Sequence, residues 1–259
     1  PAPARPWPSE VAWFEKYVLD KKKKGKKDVL ILGSTVEFRS MLHKHQVNVH
    51  VVDFSKEYYN ILFKQSMKYR GSEEFYEQNW INMELGKTFD LIFGDWVPGV
   101  LHTKEYDQFF NKILEHLKSD GLFIGRECLR KDRTDVDLEK VIDTHYKKYS
   151  DKYSFYESSM QYVYGYRPDP ATSMWNIEKS KKALEDAHTK GLFKKESDYK
   201  EMRDALAVEQ EGSMSIMVKQ DFEKEVKKGY LTIIEEHHVE EPSSDWYPIY
   251  VMRKVNLII

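Results

Sequence analysis

The segment that decides the fold is Asp28-Val29-Leu30-Ile31-Leu32-Gly33, in which four apolar residues in succession run into a glycine. A run this short and this apolar is typical of a strand buried on both faces, as the strands of a parallel sheet are. Residues 47–53 and 89–94 repeat the pattern, the former with polar interruptions, and end in an acidic residue and a glycine respectively. These three segments predict the centre of a parallel sheet.

Helices and further strands flank these segments. Apolar residues at helical spacing predict helices over residues 9–20, 38–45, 55–69 and 104–118. Additional strands are predicted at residues 74–78, 122–125, 230–235 and 246–253. Strands that alternate with helices form parallel sheets covered on both faces, whereas the short linker between the last two strands fits an antiparallel pair. We therefore predict an α/β fold with a Rossmann-like, doubly wound, seven-stranded sheet that is mostly parallel and ends in a C-terminal antiparallel hairpin.

The segment between the fifth and sixth strands is longer than one crossover helix needs. We expect a single domain over residues 1–259, with a helical insertion or lid at about 130–228 and closing strands at about 230–255. Aromatic residues of the insertion could cover a planar acceptor or could form the core of a helical subdomain. These residues are Tyr153, Phe155, Tyr156, Tyr162, Tyr164, Tyr166 and Trp175.

Composition excludes several classes of protein. The chain has 41 basic and 43 acidic residues, a net charge of −2, whereas a dedicated nucleic-acid binder usually carries a positive excess. The basic run at residues 21–27 is interpreted as a solvated loop before the first strand. One cysteine excludes an internal disulfide framework, and there is no apolar run of about 18 residues that would span a membrane. The first ten residues lack the apolar region of a signal peptide, so we expect a soluble, cytoplasmic protein.

Two pairs of histidines invite a metal interpretation, His43 with His45 and His237 with His238. Neither pair has carboxylate or thiol companions at the spacing of metal ligands. Adjacent histidines in a strand also point to opposite faces. No metal site is therefore predicted.

The loops that follow the parallel strands meet at one edge of the sheet, where ligands of such folds bind. The first loop keeps only Gly33 of the glycine-rich pattern that lets a backbone approach a pyrophosphate, so a dinucleotide is not expected. Asp53 ends the second strand twenty residues later, and an acidic residue at this offset can accept hydrogen bonds from ribose hydroxyls. After the third strand, Asn79 and Trp80 could contact an adenine, or could serve as a turn residue and a packing residue.

Taken in order, these segments resemble the class I S-adenosylmethionine-dependent methyltransferases. The resemblance spans residues 28–127 and extends to the closing hairpin. The matching segments are Val29–Glu37, Val51–Ser55, Gln78–Trp80, Phe89–Asp95 and Leu117–Gly121. The first segment departs from the family pattern, because Ile31 replaces its usual acidic residue and two of its glycines are missing.

The resemblance implies S-adenosylmethionine as cofactor and S-adenosylhomocysteine as product. It implies the following cofactor contacts: Gly33 and Ser34 with the methionine part, Asp53 with the ribose, Phe54, Asn79 and Trp80 with the adenine, and Asp95 near the ammonium or the sulfonium. Glu37 or Asp95 would compensate for the acidic residue missing at Ile31. Arg39 would pair with the cofactor carboxylate, or simply with Glu37.

Methyl transfer needs a general base only if the nucleophile loses a proton during attack. The candidates near the carboxyl edge are Asp95, His102 and Glu127, although His102 also fits a surface or capping role and Glu127 an internal ion pair. The expected acceptor is a small molecule or a peptide. The alternatives are a nucleic-acid methyltransferase that uses residues 21–27 on phosphates, and a non-catalytic protein that binds S-adenosylmethionine or acts as a scaffold.

Overall fold

The computed structural model describes residues 2, 4–66, 69, 71–208 and 214–255, without the side chains of residues 63–66. Seven strands form one sheet in the order β3-β2-β1-β4-β5-β7-β6. Their bounds are β1 Asp28–Leu32, β2 Asn48–Asp53, β3 Glu73–Glu77, β4 Phe89–Asp95, β5 Leu117–Arg126, β6 Leu231–His237 and β7 Ile249–Lys254. Strands β1 to β5 are parallel, and β7 is antiparallel to both of its neighbours, β5 and β6. The predicted Rossmann-like sheet with a C-terminal hairpin is confirmed.

The helices connect the strands in the predicted alternation. Their bounds are α1 Pro8–Lys23, α2 Val36–Lys44, α3 Lys56–Ser66, α4 Tyr106–His116, α5 Leu138–Thr144, α6 Phe155–Tyr164, α7 Ile177–Thr189, α8 Glu196–Ala207 and α9 Lys219–Lys228. Residues 67–68 of the predicted third helix lie outside the described residues. Within the described part of the chain, no helix combines the length and the apolar character needed to cross a bilayer.

The boundary between α4 and β5 differs from the prediction. The helix ends at His116 because Leu117 has an extended backbone and pairs with Phe89 of β4. Residues 119–121 (Ser-Asp-Gly, typical of a turn), which separate the predicted helix from the predicted strand, therefore lie within β5, whose pairing with β4 shifts register between Phe89 and Leu91. A strand partner overrides the local turn preference at this point.

Alternate residues of the central strands pack on opposite faces, as the pleat of a strand requires. Val29 and Ile31 lie on the face of the sheet that α1 and α2 cover. Leu30 and Leu32 lie on the other face, in the core that contains residues of α4 and α9. The carboxyl ends of β1, β2, β4 and β5 consequently meet at one edge between two helical layers.

The segment between β5 and β6 contains a third core, to which helices α5 to α8 contribute. Phe155, Tyr164 and Trp175 are buried in it, and Trp175 stacks on Tyr164 with ring centroids 4.7 Å apart. Trp246 and Tyr247, which precede β7, belong to the same core. Helix α9 differs from these helices because it packs against α4 and β6 on the main sheet.

Candidate functional site

The loop after β1 turns sharply at Gly33, whose φ of +86° is one that residues with a side chain rarely adopt. The Gly33 amide donates to the carbonyl of Val52 at 2.8 Å, which ties the loop to the end of β2. A Cβ at Gly33 would lie 3.5 Å from the indole of Trp80. The backbone at this position is therefore held close to both neighbouring strand ends.

A buried hydrogen bond joins the first two loops. The Ser34 hydroxyl donates to the Asp53 carboxylate at 2.6 Å, and both side chains are buried. The second Asp53 oxygen accepts from the Ser55 amide at 3.3 Å. Because β1 and β2 are parallel neighbours, Ser34 and Asp53 are adjacent at the carboxyl edge although they are far apart in sequence.

Two side chains beside Asp53 are open to solvent. Phe54 is 72% exposed, which is unusual for a large apolar residue. Asn79 is exposed too, and its side-chain oxygen accepts from the Ile81 amide at 3.2 Å. Trp80 is buried, and its indole nitrogen donates to the carbonyl of Val52 at 2.9 Å, so this ring packs beneath the edge.

Asp95 ends β4 in a buried ion pair. Its carboxylate accepts from Arg126 Nε at 2.8 Å, and Arg126 also lies 3.6 Å from the carboxylate of Glu10 in α1. Burial raises the pKa of Asp95, an effect that the Arg126 guanidinium opposes. Burial likewise raises the pKa of Glu10 to about 7, again against the effect of Arg126. Glu10 is not among the residues predicted from the sequence, because its approach to Arg126 depends on how the first helix packs over the edge.

Glu37 and Arg39 point in different directions. Glu37, near the start of α2, forms an ion pair with Arg5 at 3.1 Å and stays near the carboxyl edge. Arg39 is buried and forms an ion pair with Glu73 at the start of β3, with its guanidinium over the ring of Tyr59. The structure therefore does not bring Arg39 to Glu37 or to the carboxyl edge, since Glu73 pairs with the amino-terminal half of β2.

His102 lies on the surface. It is exposed, and its backbone amide donates to the carboxylate of Glu105 at 2.8 Å at the start of a short 3₁₀ helix. His43 is within 2.9 Å of the Glu73 carboxylate, away from the carboxyl edge. Among the residues that the structure describes, no group of three or more His, Cys, Asp or Glu side chains is placed to hold a metal ion.

Comparison with known proteins gives matches in structure alone. No protein-family model matches the chain, and no curated protein matches it. A Rhodobacter sphaeroides chain provisionally named a Zn-dependent alcohol dehydrogenase aligns over 97% of this chain and 91% of its own, at 15% identity and a TM-score of 0.57. An S-adenosylmethionine-dependent methyltransferase from Clostridium acetobutylicum aligns over 94% of this chain and 92% of its own, at 14% identity and a TM-score of 0.52.

A third structure contains both a product and an acceptor. It is the 1,6-didemethyltoxoflavin-N1-methyltransferase of Burkholderia thailandensis, solved with 1,6-didemethyltoxoflavin and S-adenosylhomocysteine. It aligns over 96% of this chain and 80% of its own, at 10% identity and a TM-score of 0.52. Several further structural neighbours are also methyltransferases. The chain therefore has the fold of the class I S-adenosylmethionine-dependent methyltransferases.

Proposed function

We propose that this protein transfers a methyl group from S-adenosylmethionine to a small-molecule acceptor. The observation that carries the proposal is the buried pair of Ser34 and Asp53 with the exposed ring of Phe54 beside it. The pair lies next to β1, where the strand order reverses and where ligands of doubly wound sheets bind.

The residues at this edge fit the parts of the cofactor. Asp53 offers a carboxylate to the ribose hydroxyls, and Ser34 holds that carboxylate in place. Phe54 offers an exposed aromatic face to the adenine, and the exposed amide of Asn79 can bond its edge. The positive φ of Gly33 lets the backbone approach the methionine part without a Cβ in the way.

The charged groups at the end of β4 suit the cationic part of the cofactor. Asp95 lies beside β1, and its carboxylate shares Arg126 with Glu10, so two carboxylates face one guanidinium. Glu37 is held by Arg5 near the same loop. We assign Asp95 to the methionine ammonium or the sulfonium, and Glu37 to a supporting position. Arg39 and His102 are left out of the proposed site because of where the structure places them.

The bound cofactor would supply an activated methyl group, so the chain has to align the acceptor and exclude water. Trp96 follows β4, and its ring lies edge-on to Trp175 and to Tyr247, with centroids 5.9 Å and 6.4 Å apart. The core shared by helices α5 to α8 thus adjoins the carboxyl edge beside β4 and β5. We propose that this helical insertion encloses the acceptor.

Calorimetric titration with S-adenosylmethionine and S-adenosylhomocysteine tests the proposal. We expect both to bind, and we expect Asp53→Asn to weaken binding by about 1–3 kcal/mol, because the ribose hydroxyls then face a neutral amide with one acceptor oxygen in place of a charged carboxylate. The matched control is Asp28→Asn, which changes a carboxylate at the opposite edge of the sheet, where it pairs with Lys118 at 2.9 Å. Absence of binding to both compounds would contradict the proposal, and equal affinity in the Asp53 variant would refute the ribose assignment.

A further inference from the structure

The carboxyl of Glu127 is buried, and one of its oxygens lacks a hydrogen-bond partner among the described residues. Glu127 directly follows β5 and is 1% exposed. Its backbone amide donates to the carbonyl of Pro248 at 3.1 Å, but its Oε1 atom has no hydrogen-bond partner among the described residues. A buried carboxyl that lacks partners costs free energy, so its retention in the fold indicates a group that a ligand completes.

The neighbouring arginine does not balance this carboxyl. Successive residues of a strand point to opposite faces, and Arg126 points toward α1, where it pairs with Asp95 and approaches Glu10. Glu127 points to the other face, where it folds back over Gly125: a Cβ at Gly125 would lie 2.6 Å from Glu127 Oε1. Arg126 thus pairs with Asp95 and acts on Glu127 through its charge alone, without an ion pair between the two in the described part of the chain.

Two phenols that interact electrostatically with Glu127, those of Tyr106 and Tyr250, are engaged elsewhere. The Tyr106 hydroxyl donates to the carbonyl of Pro98 at 2.9 Å, and the Tyr250 hydroxyl donates to Glu223 at 3.3 Å. Neither hydroxyl is therefore the donor that the Glu127 carboxyl needs.

Trp96, which follows β4, has a second buried polar atom without a hydrogen-bond partner among the described residues. The backbone amide of Trp96 donates to the Arg126 carbonyl at 2.6 Å, so Trp96 lies directly beside the end of β5. Its indole nitrogen is buried and also lacks a hydrogen-bond partner in the described part of the chain. One carboxyl oxygen and one indole N–H on adjoining strand ends thus lack hydrogen-bond partners among the described residues, and the indole adjoins the aromatic rings of Trp175 and Tyr247.

This position suits a methyl acceptor. Strand β5 is separated from β1 by β4 alone, and neighbouring strands are about 4.8 Å apart, so the ends of β1 and β5 are about 10 Å apart. An acceptor held at the end of β5 would therefore lie beside a cofactor held at the ends of β1 and β2.

We propose that the acceptor is an amine and that Glu127 binds its nitrogen. The inference rests on the proposed function and adds the chemical class of the acceptor to it. An amine supplies the N–H donors that Glu127 Oε1 lacks, and a carboxylate binds a cationic donor more strongly than a neutral one. The Asp95 carboxyl also acts electrostatically on Glu127, which further disfavours an anionic acceptor.

The proton balance of the transfer fits this assignment. An ammonium that reaches the site passes a proton to the Glu127 carboxylate and becomes a neutral amine. The nitrogen lone pair then forms the N–C bond while the C–S bond breaks and returns its electrons to sulfur. The products are the N-methylammonium, the thioether and a Glu127 carboxylic acid that releases its proton to solvent. Burial raises the pKa of Glu127 well above its ordinary value, which favours uptake of this proton.

Three size-matched probes test the proposal by calorimetry on protein saturated with S-adenosylhomocysteine: 2-phenylethylamine, 2-phenylethanol and phenylacetate. We expect the amine to bind at least about tenfold more tightly than the alcohol, and phenylacetate to bind most weakly. In Glu127→Gln the preference for the amine over the alcohol should disappear, while the affinity for S-adenosylhomocysteine stays unchanged. The matched control Glu139→Gln changes an exposed glutamate paired with Lys190, and the amine preference should persist in it.

The outcomes separate this inference from the proposed function. An unchanged amine preference in Glu127→Gln would overturn the inference, as would a wild-type protein that binds the amine no better than the alcohol or binds neither probe. If S-adenosylhomocysteine itself fails to bind, the proposed function fails. The same probe titrations without cofactor would then still decide whether Glu127 binds amines.

Discussion

The carboxyl of Glu10 makes the stability of this protein depend on pH. Burial raises its pKa from 4.5 to about 7, although Arg126 and the Trp7 amide act in the opposite direction. Because the folded state binds this proton more tightly than the unfolded state, the stabilisation is complete below about pH 4.5 and is lost as the pH rises toward 7. We expect Glu10 to lower the free energy of unfolding by about 3 kcal/mol over this interval.

Urea unfolding near pH 5 and near pH 8 measures this effect. We expect Glu10→Gln to lose less stability than the wild type between the two conditions, because Gln cannot ionise and can still accept from the Trp7 amide, which donates to Glu10 at 2.7 Å. The pKa of Glu127 is raised in the same direction, so Glu127→Gln serves as the comparison that leaves the Glu10 contribution in place. Parallel pH profiles for the wild type and Glu10→Gln would show that Glu10 does not titrate in this range.

The strands of the sheet can be predicted from the sequence because the pattern of apolar residues that marks each strand lies within a few consecutive residues. Asp28–Leu32 and Phe89–Asp95 are apolar enough to require burial on both faces, and this alone predicts central parallel strands. The same logic predicts that the residues at the carboxyl ends of the parallel strands meet at one edge, and there the structure joins Ser34 to Asp53 by a hydrogen bond. Such local patterns do not predict which side chains from different elements form pairs.

Arg39 and Arg126 illustrate what a single sequence leaves open. Each is fully buried, and each pairs with a carboxylate supplied by a distant element, Arg39 with Glu73 and Arg126 with Asp95. The choice of partner depends on the rotation of a helix or the register of two strands, and long-range packing sets both. The placement of Glu10 near Arg126 at the carboxyl edge of the sheet also depends on packing. The spacing of apolar residues in its own helix does not predict it.

The helical insertion has a core of its own, which one substitution can test. Trp175 is 2% exposed and stacks on Tyr164. We expect Trp175→Ala to lower the free energy of unfolding by about 3–5 kcal/mol, because a large buried ring is replaced by a cavity. The control Tyr58→Ala removes an aromatic ring that is 55% exposed, and it should change stability by less than about 0.5 kcal/mol.

The way in which this variant unfolds also reports on the insertion. Trp96, Trp246 and Tyr247 connect the insertion core to the strand ends, so we expect one cooperative transition by both tryptophan fluorescence and circular dichroism. Two separated transitions would instead show that the insertion unfolds independently of the sheet.

Over the whole molecule, charge bears on the choice between a small acceptor and a nucleic acid. Several lysines of the basic run at residues 21–27 are engaged by other groups of the protein: Lys21 is buried and donates to the Asp120 carbonyl at 2.5 Å, and Lys26 forms an ion pair with the Asp120 carboxylate. Lys22 donates to the carbonyl of His45 at 2.8 Å. With a net charge of −2, little of this run remains to release counterions from a phosphate backbone.

We therefore expect this protein to bind nucleic acid weakly and without a steep dependence on salt. Fluorescence anisotropy with a labelled duplex of about 20 base pairs and with the matching single strand, between about 50 and 200 mM salt, measures this. A protein that neutralises several phosphates loses about a thousandfold or more in affinity over that range, because each contact releases a counterion. Such a loss in the wild type would contradict this expectation. If the double variant Lys23→Gln, Lys27→Gln no longer showed this salt dependence, the basic run would be a phosphate-binding surface. A nucleic-acid acceptor would then be favoured over an amine.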